Sequence, residues 1–246
     1  MMIRKIFCKS LGFQLLLLSV LGMFVYNVSL YAENAEDWML DPALRKAVRE
    51  ELKLPVDAPL TKAKMRQLTR LHAIEKGIAN IQGLEFAVNL TALDLAGNPI
   101  KDISPLQGLM NLTHLGLGGT NISDSDLSPL STLTDLVALD LGGNRISDLS
   151  PLSALTELTK LDLQDNQISD LLPLSALINL RDINLRNNPL SDLRPLSNFT
   201  NLEELELAYC RVSDVSPLAG LVNLRVLKLH HNLTRDFTPL LGLKNL

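Results

Sequence analysis

Residues 136–157 read LVALDLGGNRISDLSPLSALTE, and the next 22 residues, 158–179, read LTKLDLQDNQISDLLPLSALIN. Both place leucine or isoleucine at positions 1, 4, 6, 11, 14, 17 and 20, asparagine at 9, aspartate at 13 and proline at 16. Working outward, the same template returns at 90–111, 180–201, 202–223 and 224–245, while 112–135 carries two extra residues around Ser125 and Asp126. An earlier, degenerate unit runs through Leu68, Leu71, Ile78, Ile81 and Leu84. The opening LxxLxL of each unit has the period of a short strand, with Leu93 and Leu95 on one side and Asp94 on the other. One unit buries too few apolar side chains to offset the ordering of 22 residues. The units must therefore stack, which gives a solenoid with strands about 4.8 Å apart in a continuous parallel sheet.

Two polar columns run through the repeat. The first is Asn98, Thr120, Asn144, Asn166, Asn188, Cys210 and Asn232, where the chain turns after each strand. A side-chain amide carries both donors and an acceptor, so it satisfies inward-pointing backbone groups, and Thr120 and Cys210 are expected to be the weaker rungs. The second column is Asp102, Asp124, Asp148, Asp170, Asp192, Asp214 and Asp236, expected to brace loops. One carboxylate per unit lacks the 6–8 oxygen ligands that calcium takes. Ser104-Pro105, Ser150-Pro151 and Ser216-Pro217 read as N-cap and first residue of short helical turns, too close to the next strand for a long helix.

Composition agrees with a leucine-packed array. Hydrophobic residues make up 46% of the 246-residue chain but aromatic residues only 4%. The net charge is −4; beyond residue 32 there are 20 basic against 27 acidic residues, which argues against non-specific nucleic-acid binding. Cys8 and Cys210 fall on opposite sides of that point, so no internal disulfide is expected in a processed chain.

The N-terminus has the layout of an export signal: Arg4, Lys5 and Lys9, an apolar run from Leu11 to Tyr26, and a small residue at Ala32. Residues 1–32 are read as a signal peptide cleaved after Ala32, with retention as a membrane anchor as the alternative. Residues 33–67 are read as a helical cap: Asp41 and Pro42 open one helix, and a shorter one follows Thr61. Residues 68–246 form about eight repeats, whose C-terminal end is expected to be uncapped and open to self-association.

The ladder LxxLxLxxNxIxDxxPLxxL at a period of 22 resembles the leucine-rich-repeat class found in bacterial internalins, over about Leu68 to Leu246. The resemblance implies an α/β fold: a right-handed leucine-rich-repeat horseshoe with a parallel concave sheet, short 3₁₀ turns on the convex face and a helical N-terminal cap. It also implies a non-catalytic module that binds a protein partner on the concave sheet, with no cofactor or catalytic residue to carry over. Thr120 and Cys210 depart from the asparagine column of that class.

Solvent-facing strand positions divide the repeats. Early units carry alanine and glycine, whereas later ones carry Asp162, Gln164, Asp182, Asn184, Arg186, Glu204, Glu206, Tyr209, Lys228, His230 and His231. These eleven are the candidate protein-binding residues, with Tyr209 and Arg186 of the types enriched at interface hot spots. His230 and His231 are adjacent and are expected to point apart, which disfavours a metal pair. No template Ser or Cys has a histidine at its own face and height apart from these late positions, so no hydrolytic site is expected. The function expected is that of an exported, periplasmic, cell-surface or secreted binding module. A structural envelope element and a scaffold or inhibitor of an exported enzyme are the alternatives.

Overall fold

The computed structural model describes residues 38–246; the expected export signal, 1–32, lies outside the described residues, as do the first residues of the expected cap. Eight three-residue strands follow one another: β1 (Arg70–His72), β2 (Ala92–Asp94), β3 (His114–Gly116), β4 (Ala138–Asp140), β5 (Lys160–Asp162), β6 (Asp182–Asn184), β7 (Glu204–Glu206) and β8 (Val226–Lys228). They form one parallel sheet in chain order. Because each strand pairs with the one before it in identical register, Leu71, Leu93, Leu115, Leu139, Leu161, Ile183, Leu205 and Leu227 stand in one row. Three-residue 3₁₀ turns such as Ser104–Leu106 and Ser150–Leu152 close the opposite side.

The seven apolar positions of each unit between Leu90 and Asn223 fill the space between. In the first of them Leu90, Leu93, Leu95, Ile100, Ile103, Leu106 and Leu109 are all buried. The two extra residues of the second unit leave the sheet register untouched. They are absorbed by a turn over Asp124–Asp126, where Ser123 and Asp126 cap each other, followed by a longer turn over Ser128–Thr132.

The asparagine rungs behave as the turn requires. Asn166 Nδ2 donates to the carbonyls of Leu141 (2.9 Å) and Leu163 (3.1 Å), and its Oδ1 accepts from the N–H of Ile146 (3.0 Å). Asn188 repeats the pattern on Leu163, Leu185 and Ile168. The Thr120 and Cys210 rungs do less, as expected. Thr120 Oγ1 donates to Leu117 O (2.7 Å), and Cys210 Sγ donates to Leu185 O (3.0 Å). The backbone N–H that an amide in their place would have received is satisfied locally instead: Ile100 N donates to Asn98 O and Leu190 N to Asn188 O, both at 2.8 Å. Each of these tight turns is centred on a proline, Pro99 or Pro189, whose fixed φ suits it.

One expectation is corrected here. Ser104, Ser150 and Ser216 are not N-caps: they are already inside the 3₁₀ turns, and the cap residues Ile103, Leu149 and Val215 supply no side-chain bond. The aspartate two residues ahead of each serine does that work. Asp102, Asp148 and Asp214 Oδ1 each accept from the serine N–H at 2.8 Å, and Asp170, Asp192 and Asp236 repeat the contact in their own units. A carboxylate reaches back over one residue to close a loop more readily than a hydroxyl does, and it adds charge to the bond.

Two helices cover the first unit: α1 (Pro42–Glu51) and α2 (Lys62–Met65). Leu44, Val48 and Met65 turn into the core. Asp41 joins cap to repeat with one carboxylate. Its Oδ1 accepts from Ala43 N and Leu44 N at the start of α1, and its Oδ2 from Ala79 N (2.8 Å) and Asn80 N (3.1 Å) of the first repeat. Burial opposes its ionisation, but the four N–H donors outweigh that and hold the carboxyl below its ordinary range. Met39 lies against Gly83, whose φ of 106° and lack of a Cβ admit it; a Cβ there would sit 2.9 Å from Met39 Cε.

Candidate protein-binding face

Every unit turns out of its strand through one residue in the left-handed region. In chain order these are Glu75, Gly97, Gly119, Gly143, Asp165, Asn187, Tyr209 and His231, with φ between 53° and 69°. Glycine takes this conformation freely, and asparagine and aspartate take it at modest cost; a tyrosine there is strained. The repeat therefore holds Tyr209 in a costly geometry that three earlier units avoid, and it does so where the side chain is exposed, at 42%.

The stack explains what the strain holds together. Tyr209 and His231 occupy the same position in successive units, and their rings lie parallel with centroids 4.3 Å apart. His230 meets Tyr209 edge-on at 5.6 Å, and the Arg186 guanidinium stands 4.9 Å from the tyrosine ring. The expectation that the two histidines point apart is overturned: their own rings meet at 5.4 Å, both turned toward Tyr209. In a regular strand adjacent side chains diverge, but the left-handed turn at His231 swings its ring back.

The remaining candidates form a second group on the strands themselves. Asn184 Nδ2 donates to Asp162 Oδ2 (3.0 Å) and Gln164 Oε1 (3.2 Å), and Asn184 Oδ1 accepts from Arg186 N. Lys160 pairs with Asp182 at 2.8 Å and Lys228 with Glu206 at 2.9 Å. The hydrogen bond and charge of Asp182 raise the Lys160 ammonium above its ordinary range. Glu204 projects between these pairs, exposed to solvent. Asp162, Gln164, Asn184 and Arg186 are thus one connected polar network, reaching Tyr209 through the arginine side chain. Cys210 lies beneath the tyrosine in the core, where burial raises its thiol pKa and keeps it protonated.

Three features went unread in the sequence. Lys160, beside the candidates, anchors Asp182. Glu203 bridges Arg181 (2.9 Å) and Arg225 (3.3 Å) along the flank of the sheet, a charge pattern visible at 22-residue spacing. The third is a hollow of about 260 Å³ on the early strands, which read as bare because alanine and glycine carry no functional group.

Residues 88–131, 156–198 and 200–242 match the family described as Leucine Rich repeats (2 copies), and residues 110–168 match Leucine rich repeat. The chain is similar to internalin C2 of Listeria monocytogenes, at 36% identity and a TM-score of 0.80 over 85% of this chain and 92% of that one. It shares its fold with a plant peptide hormone receptor solved in complex with RGF2, at 21% identity and a TM-score of 0.63 over 76% of this chain and 33% of that one. It likewise shares the fold of a leucine-rich-repeat protein of Leptospira interrogans, at 19% identity and a TM-score of 0.56 over 80% and 61% of the two chains. No curated protein matches the chain.

Proposed function

The chain belongs to the internalin-like leucine-rich-repeat proteins of bacteria, a fold that commonly mediates protein–protein interaction, and from that premise we propose that it is an exported, non-catalytic module binding a protein on its concave face. The observation that carries this reading is Tyr209. An aromatic ring is kept exposed at a backbone position that disfavours it, braced by His231 on one side and Arg186 nearby. Strain at a surface position is maintained only where the surroundings over-determine it, and such positions concentrate at ligand contacts. The ring is rigid before a partner arrives, so little ordering entropy is lost on binding. Asp162, Gln164, Asp182, Asn184, Glu204, Glu206, Lys228 and His230 form the polar surround.

Export rests on the N-terminal layout of Arg4, Lys5, Lys9, the apolar run and Ala32. The test is capture of a protein partner from surface extracts of the source bacterium, followed by calorimetry. Tyr209→Ala is expected to weaken the complex by about 2 kcal/mol or more, a hot-spot magnitude. An unchanged affinity moves the interface off this patch. Fractionation of cells expressing the full chain tests the location, and retention in the cytoplasm overturns export.

A second reading, a self-associating envelope element, draws on the apolar side chains of the last unit. Leu233, Phe237 and Leu241 are 64%, 50% and 81% exposed. Sedimentation across a concentration range separates the two readings, since only self-association makes the size concentration-dependent.

A further inference from the structure

The early half of the concave face has a hollow where the later half has side chains. Leu93, Leu115 and Leu139 lie beneath it, Ala92 and Ala138 beside it, and His72, His114 and Lys160 on its rim. The gap itself comes from Gly116, where a Cβ would lie 2.7 Å from Asp94 Oδ1. Asp140 leans in the same way over Gly118, with Oδ2 2.9 Å from the Cβ position, and Asp162 and Asp140 both approach that of Gly142. Three carboxylates from three strands thus lie low across the sheet around one apolar-floored recess.

Their charge is only partly compensated, by the one ammonium of Lys160. The outward strand positions of the whole face hold six carboxylates, Asp94, Asp140, Asp162, Asp182, Glu204 and Glu206, against Arg70, Lys160 and Lys228. Lys160 is bonded to Asp182 and also feels the charge of Asp162, and Lys228 is bonded to Glu206, which leaves three carboxylates to one ammonium around the recess. Among the described residues Asp94, Asp140 and Asp162 have only backbone and amide donors: Ala96 N, Gly142 N, Gln164 N and the Asn184 side chain. Burial, and then the proximity of Asp162 and Asp94, pushes the Asp140 carboxyl above its ordinary range.

We propose that the β2–β5 half of the concave face docks a basic segment of the protein partner, one lysine or arginine side chain of which enters the recess over Gly116. The aliphatic stem lies on Leu115 beside Ala92, His114 and Ala138, and the cation stands among Asp94, Asp140 and Asp162. The occupant follows from charge complementarity together with shape: a long, thin, apolar stem with a charged head fits an apolar floor rimmed by carboxylates. The proposal rests on the reading of this face as protein-binding, and it assigns the partner a sign of charge that the Tyr209 cluster does not.

The test needs no natural partner. Binding of fluorescein-labelled decalysine to the purified chain is followed by anisotropy, with decaglutamate as control. The chain is expected to bind decalysine and not decaglutamate. Asp94→Asn with Asp140→Asn, isosteric changes on the surface, should weaken binding about ten-fold or more, whereas Asp135→Asn with Glu157→Gln, which removes equal charge from the flank, should change it less than about two-fold. Gly116→Lys, which fills the recess with a cation of its own, should match the first pair; circular dichroism confirms that each variant is folded. Equal losses from both pairs, or no binding by the unaltered chain, overturn the proposal. Tyr209→Ala is the separating arm. It should leave decalysine binding within about two-fold, so the loss of partner capture by that variant bears on the hot spot alone.

Discussion

Units up to Glu157 and units from Leu158 onward share one interior and differ in what they place on the left-handed corner. Gly97, Gly119 and Gly143 occupy it without strain and leave the sheet open beside them; Asp165 and Asn187 tolerate it; Tyr209 and His231 pay for it and stack on each other. A repeat whose core positions are all taken by leucine or its equivalents has little freedom inside. Differences in what the units can bind are therefore confined to a few surface columns. The early half presents a recess with an excess of negative charge, and the late half presents a braced aromatic cluster with committed ion pairs.

The sharpest way to break that comparison is in the core, where the halves should not differ. Leu117→Ala and Leu207→Ala remove fully buried side chains from an early and a late unit, and each should cost about 2–5 kcal/mol in urea unfolding through lost burial and a cavity. A large disparity between the two would show that the late units are held by something other than the shared frame.

The rungs should differ in a way the prolines dictate. Asn166→Thr leaves the N–H of Ile146 without its acceptor, while Leu141 O and Leu163 O keep their bonds to Asn144 and Asn188, and should cost about 1–3 kcal/mol. Cys210→Asn should gain less than about 0.5 kcal/mol, because Leu190 N is already bonded within its own turn around Pro189. Combining Pro189→Ala with Cys210→Asn should raise the gain, and equilibrium unfolding of the double-mutant cycle measures the coupling.

At the start of the array, Asp41→Ala should cost about 1–2 kcal/mol as a lost helix cap, with the detached N–H groups of Ala79 and Asn80 adding to it. Its folded carboxyl lies below its ordinary value, so its contribution is complete above the unfolded pKa of about 3.9 and is lost as pH falls through the folded value. The difference between wild type and Asp41→Ala should therefore be constant at neutral pH and shrink only in acid, as melts between pH 7 and pH 3 would show.

The smallest effect sharpens the comparison most. Tyr209→Asn places a residue that tolerates left-handed backbone, as Asn187 does, and should leave stability unchanged or raise it by up to about 1 kcal/mol while removing the proposed hot spot. The reverse change, Gly143→Tyr, has room for its Cβ, 3.6 Å from the Gly119 backbone, so its cost of about 1–3 kcal/mol should be backbone strain. Thermal melts of the pair test whether the late units trade stability for a surface.

Much of the frame was legible in residue spacing. The alternation of Leu93, Asp94 and Leu95, the asparagine column and the weaker Thr120 and Cys210 rungs all follow from a period and the chemistry of one side chain. The serine caps were misjudged because Ser-Pro and Asp-x-Ser patterns overlap in every unit, and only the backbone shows which oxygen reaches the N–H. The recess was invisible because it is made of absent side chains at Gly116, Ala92 and Ala138. The aromatic cluster is half visible: its members stand out by residue type, but the turn of His231 toward Tyr209 depends on a left-handed φ that residue type alone does not fix.

The sequence by itself determined that the chain stacks, with what period, and which side of each strand is core, because one unit cannot bury enough apolar surface alone and period 2 leaves one phase for the leucines. Only the tertiary structure decided what meets on the surface. Stacking brings residues 22 positions apart within about 5 Å of each other, and the left-handed corners then aim those side chains along the array. Whether Arg186 reaches Tyr209, and whether aspartates from three strands rim one hollow, is set by that geometry between units and by no local pattern within one.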